Sequence, residues 1–209
     1  MYCFCFSLFI MEFDNLKKYY IERLRTAIEK GEVDEPILNL LKIINKLNDY
    51  FTTSSCAGRI VLMKIPKSGK KNEAEFLFKS HYTVNPEEVW RKLLEVYNNY
   101  EDSIWLKQEP FILHISARTL DHAVRMLELA QKVGLKHSGI ISIKPERIVI
   151  EIQSTERVEA IVTKNKKLLV SEDYFYVLIN EANKKLEKTR KKMNKFYEEI
   201  LLLSENIVE

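Results

Sequence analysis

Glycine and proline are scarce in this sequence, five of each in 209 residues, and cysteine appears three times. So little of the turn-forming pair, alongside 46% hydrophobic residues, excludes a collagen-like or wholly disordered chain. Three cysteines, two of them within the first five residues, cannot frame a disulfide scaffold, and no C-x-x-C pair or histidine-rich set offers a metal site. That cysteine usage points to a reducing, cytoplasmic setting. No apolar run approaches the roughly 20 residues that span a bilayer, so no membrane helix is expected. The phosphate-binding and nucleophile motifs G-x-G-x-x-G, G-x-x-x-x-G-K-[ST], G-x-S-x-G and H-E-x-x-H are all missing. A Rossmann dehydrogenase or methyltransferase, a P-loop NTPase and an α/β-hydrolase are disfavoured with them.

What is present reads as a well-patterned α+β chain. The apolar stretch MYCFCFSLFI has the length of a signal-peptide core but neither a basic start nor a small-residue cleavage site. Met11 reads as the natural start, which makes 1–10 an extension outside the fold and 11–209 one α+β domain. Helices are expected over 14–30 up to Gly31, and from Pro36 with Ile37, Leu40, Leu41 and Ile44 inward. Others are expected from the cap Asn85-Pro86, from the cap Thr119 to Gly134, and over 172–203. Strands are expected at 59–65 and 73–79, at 104–108 and 111–117, at 139–144 and 147–154, and at 158–163. Most strands are joined as hairpins, so a mixed or largely antiparallel sheet is favoured over a doubly wound parallel one. Helix, Ser/Gly turn and hairpin recur in both halves, which suggests a duplicated unit over 32–100 and 101–163.

Several places carry chemistry. Residues 52–59, TTSSCAGR, pack four hydroxyls, a thiol, a glycine and an arginine between a helix end and a strand. Such a turn, with Arg59 beside it, suits a carboxylate or phosphate; an ordinary Ser/Thr turn with a buried Cys56 is the plainer reading. In strand 111–117, Phe111, Leu113, Ile115 and Ala117 share one face, while Ile112, His114, Ser116 and Arg118 share the other. Ser80-His81 and His137-Ser138-Gly139 set histidines beside serines where strand meets loop. In the last helix, Lys184, Lys185, Lys188, Arg190, Lys191, Lys192 and Lys195 face only Glu187, so the rest of the chain is net acidic. The run is suited to a polyanion's phosphates or is simply a solvated helix face.

The blocks INKLNDYFTTSSCAGRI (44–60), SH (80–81), KQEPFILHISAR (107–118), GLKHSGIISI (134–143) and EIQST (151–155) resemble the tRNA wybutosine-synthesizing protein 3 family. The resemblance covers roughly 12–163 and, more loosely, the last helix. It implies an S-adenosylmethionine-dependent methyltransferase that acts on N4 of the tricyclic base at position 37, in the anticodon loop of tRNA-Phe. It also implies an α+β fold unrelated to the Rossmann methyltransferases. An archaeal source would suit the Lys- and Glu-rich composition. Carried onto this sequence, the family's positions are Ser54, Ser55, Cys56, Gly58, Arg59, His81, Lys107, Glu109, Pro110, His114, Arg118, Ser138 and Gly139. On that reading Ser54, Ser55, Cys56, Gly58, Arg59, Arg118, Ser138 and Gly139 surround the donor. His81 or His114 is the base, Glu109 orients it or binds the donor's amine, and the basic helix tracks RNA. The competing expectation is a non-catalytic tRNA-binding module.

Overall fold

The computed structural model describes residues 3–68 and 73–205, with residues 3–12 as backbone alone. Helix α1 (Cys3–Glu29) ends at Gly31, whose φ of +69° closes it without a Cβ penalty. The expectation that 1–10 lie outside the fold concerns side chains beyond this description. Its backbone from Cys3 is helix. A 3-10 turn (Glu35–Ile37) leads into α2 (Leu38–Lys46). Then come β1 (Tyr50–Cys56), β2 (Arg59–Ile65), β3 (Glu75–Ser80), α3 (Pro86–Val96), β4 (Ser103–Glu109), β5 (Ile112–Ala117) and α4 (Leu120–Lys132). The chain closes with β6 (Gly139–Lys144), β7 (Arg147–Gln153), β8 (Val158–Lys164), β9 (Lys167–Leu168) and α5 (Glu172–Glu205). The predicted link at 69–72 in the first hairpin lies outside the described residues.

Local chemistry explains the boundaries. The Asn85 side chain accepts from the Glu87 N–H with Pro86 behind it, and the Thr119 hydroxyl accepts from the His122 N–H. One expectation needs correction: the hydroxyl-rich stretch after α2 is strand, not turn. Tyr50, Phe51 and Thr52 are buried, and β1 pairs with β5 along its length, leaving only Ala57-Gly58 as the connection. Gly58 takes φ +87°, a conformation that suits a residue without a Cβ. Strand β9 was also not anticipated. Asn165 and Lys166, both at positive φ, make the tight two-residue turn that returns the chain onto β8.

The elements form two compact units, and every described strand pairing is antiparallel. The α+β, non-Rossmann expectation, with its long final helix, is borne out. The first unit (residues 1–57, 111–155 and 191–209) holds a four-stranded sheet in the order β1-β5-β7-β6. One face of it presents Leu113, Ile115, Ile150 and Ile152 to Leu41 and Ile44 of α2, Met126 of α4, and Met193 and Phe196 of α5. On the alternate positions Phe51 meets Phe13 and Tyr20 of α1, with centroids 5.1 and 5.3 Å away. Phe196, fully buried, contributes roughly 2–3 kcal/mol through its apolar surface.

The second unit (58–110 and 156–190) holds the five-stranded sheet β3-β2-β4-β8-β9. Its core joins Ile60, Leu62, Ile104, Leu106 and Val162 to Trp90 and Leu93 of α3 and to Phe175, Ile179 and Leu186 of α5. Each unit draws strands from both of the halves expected to be duplicated, so the compact units cut across that repeat.

Candidate functional site

In the first unit the sheet register sets three polar residues in a row. Ser54 of β1 lies opposite His114 of β5, and His114 opposite Glu151 of β7. A bulge between Thr52 and Ser54 shifts β1 so that Ser54, rather than its neighbour, meets the histidine. Asn45 of α2 fixes that bulge from below, donating to the Thr52 hydroxyl and accepting from the Thr52 N–H. The Ser54 Oγ is 2.8 Å from His114 Nδ1, and His114 Nε2 is 2.8 Å from Glu151 Oε2. Gln153 Nε2 donates to the other carboxylate oxygen, Oε1, at 2.9 Å. An ionised carboxylate only accepts, so the neutral imidazole carries its proton on Nε2 and accepts the Ser54 hydroxyl at Nδ1.

Other expected residues of this unit do different work. The Ser138 hydroxyl accepts from the Gln153 N–H, and Gly139 pairs with Glu151 at the start of β6. Ser54, Ser55 and their neighbours Thr52 and Thr53 line a cavity of about 160 Å³ with Tyr20 and Arg23 of α1, while Cys56 is half-buried. Arg118, expected at an anion, donates from Nε to Asp49 at 2.8 Å and from Nη2 to Asp14 at 2.6 Å, and lies 4.3 Å over the Phe13 ring. Burial alone would lower its pKa, but the bonds to Asp14 and Asp49 outweigh that and raise it. Arg118 thus ties α1 to the α2–β1 turn. Beside it the buried Tyr50 hydroxyl donates to the His122 carbonyl, and burial pushes the phenol up to about 12.

In the second unit Arg59 of β2 lies opposite Glu109 of β4, with Nε 2.6 Å from Oε2 and the guanidinium 4.6 Å over the Phe76 ring. About a quarter of each side chain of this ion pair remains exposed. The His81 Nδ1–H donates to the Gly58 carbonyl at 3.0 Å, and Arg190 Nη2 donates to the His81 carbonyl. Lys107 is 3.6 Å from Glu159 and lies over Trp105.

The basic run divides by direction. Lys184, Lys188, Lys191 and Lys195 recur at helical spacing on the exposed side of α5, along about 16 Å at 1.5 Å per residue. Lys188 reaches the buried Glu156 at 3.0 Å; Arg190, Lys185 and Lys192 are half-buried.

Two outcomes differ from the sequence reading. The carboxylate that holds His114 is Glu151; Glu109 belongs with Arg59. Strand parity was the available signal, since Glu151 and Gln153 alternate with the buried Ile150 and Ile152. The Asp14 and Asp49 partners of Arg118 had no signal of that kind. Among the described residues no group of His, Cys, Asp or Glu is arranged to hold a metal ion.

Comparison with known proteins supplies the context. A family model described as Methyltransferase TYW3 matches residues 15–201. A Pyrococcus abyssi protein named tRNA(Phe) 7-((3-amino-3-carboxypropyl)-4-demethylwyosine(37)-N(4))-methyltransferase 1 is 40% identical over 92% of this chain and 97% of its own. A Thermococcus sibiricus methyltransferase of the same description, without the final numeral, is 42% identical over 92% and 96%. Among solved structures, the PH1069 protein from Pyrococcus horikoshii superposes with a TM-score of 0.85 at 36% identity, covering 92% of this chain and 97% of that one.

Proposed function

The chain belongs to the methyltransferase TYW3 family, and from that membership we propose that it methylates N4 of the demethylwyosine base at position 37 of tRNA(Phe), with S-adenosylmethionine as donor. When bound, such a donor supplies an electrophilic methyl group on a sulfonium. The protein's own residues then bind the two substrates and take up the proton that the acceptor nitrogen loses.

The observation that carries the site reading is the Arg59–Glu109 pair. A donor with an amino-acid end needs a cation for its carboxylate and an anion for its ammonium, and these two side chains offer both while still partly exposed. The Gly58 turn and the Phe76 ring flank the pair. This donor set fits the cofactor. Arg118, with two of its nitrogens committed to aspartates, fits it less well.

Taken within the first unit alone, His114, held at both ring nitrogens, is a group able to take up a proton. The exposed lysines of α5 contact tRNA phosphates, and the position-37 base of the anticodon loop is turned out of its stack to reach the site. Calorimetric titration of S-adenosylmethionine, with tRNA(Phe) present and absent, tests the donor site. Arg59→Ala is expected to weaken binding at least ~10-fold, the loss of one charge-assisted contact. Unchanged affinity in the variant overturns the Arg59 placement, and no binding to the unaltered protein in either condition overturns the donor.

A further inference from the structure

We infer that Ser54, His114 and Glu151 form a proton relay in which Ser54 touches the acceptor base, His114 receives the proton and Glu151 positions the imidazole; this rests on the methyltransferase reading above. Both ring nitrogens of His114 are already engaged, Nδ1 by the Ser54 hydroxyl and Nε2 by Glu151, each at 2.8 Å. The ring therefore has no open lone pair to present to a substrate N–H. The exposed group of the row is Ser54, which also lines the cavity shared by Tyr20 and Arg23. Its oxygen donates its hydrogen to Nδ1 and keeps lone pairs to accept another.

The proton balance follows from those contacts. The acceptor's N–H bond breaks and its electron pair stays on nitrogen for the new N–C bond, which would form as the methyl's bond to the sulfonium breaks with its electron pair left on sulfur. The released proton passes to the Ser54 oxygen as the serine's own proton passes to His114 Nδ1. The resulting imidazolium keeps its Nε2–H on the Glu151 carboxylate, which stabilises the positive charge. The serine ends as it began, with one hydrogen.

Gln153 makes the role of Glu151 testable. Its Nε2 donates to Glu151 Oε1. In Glu151→Gln the carboxamide oxygen would take that bond and turn its NH2 toward His114 Nε2. The imidazole proton would then move to Nδ1, and the Ser54 hydroxyl would lose its acceptor. Nitrogen-15 NMR of the free protein, at a pH where the ring is neutral and with His114→Gln used to assign the signals, reads this directly. The unaltered protein should show Nε2 protonated, and Glu151→Gln should show Nδ1 protonated.

In methyl-transfer assays Glu151→Gln and Ser54→Ala are each expected to lower kcat by ~10²-fold or more with KM for tRNA kept. Ser54→Thr, which retains a hydroxyl, should recover most of the rate. An unshifted tautomer in Glu151→Gln overturns the positioning role, and full kcat in Ser54→Ala overturns the relay. If the unaltered protein transfers no methyl group, the functional reading fails, while the NMR outcome still decides whether Glu151 sets the tautomer.

Discussion

Two arginines show how much a side chain's neighbours decide its use. Arg118 gives Nε and Nη2 to two aspartates and holds elements together, whereas Arg59 gives one bond to Glu109 and stays partly open to ligands. Tyr50 offers a test at the same scale. Burial raises its phenol from the ordinary ~10 to about 12. With the folded value above the unfolded one, the contribution from keeping Tyr50 neutral is full below about pH 10 and is lost as pH rises through about 12. Unfolding free energy should therefore fall across that window, and fall less steeply in Tyr50→Phe. At neutral pH the variant should cost about 1 kcal/mol for the lost bond to His122. Equal slopes in denaturant titrations of the two proteins would show that Tyr50 does not cause the alkaline loss.

Elements with their own start and stop chemistry were legible from the chain. The Asn85-Pro86 and Thr119 caps gave α3 and α4, and the β-rich runs on either side of Pro145-Glu146 gave β6 and β7. Strand β1 was hidden because its Ser/Thr-rich half reads locally as a turn; a partner distant in sequence, β5, makes it a strand. The same long-range pairing hid Glu151 as the partner of His114, although each residue's face followed from parity. The cap of α3 carries a prediction. Asn85→Ala should lower stability by about 1 kcal/mol and Asn85→Gly by only a few tenths. Both tryptophans, Trp90 and Trp105, lie in the second unit, so their fluorescence during urea unfolding reports this loss. Equal midpoints for all three proteins would remove the cap's contribution.

At the scale of the whole molecule, α5 carries the charge that suits a polyanion. Replacing Lys184, Lys191 and Lys195 by Gln should reduce the slope of log K for tRNA binding against log salt by about 2 to 3. An unchanged slope would remove this helix from the RNA footprint. The helix has a second consequence, which concerns synthesis. It supplies Phe175 and Ile179 to one core and Met193 and Phe196 to the other. Ser54 must also wait 60 residues for His114. A chain emerging from the ribosome therefore cannot complete the second unit's core before Leu186 has been made, nor the first unit's before Met193 and Phe196. Its early apolar strands stay unsatisfied until α5 has been made, and exposed to aggregation until that helix docks.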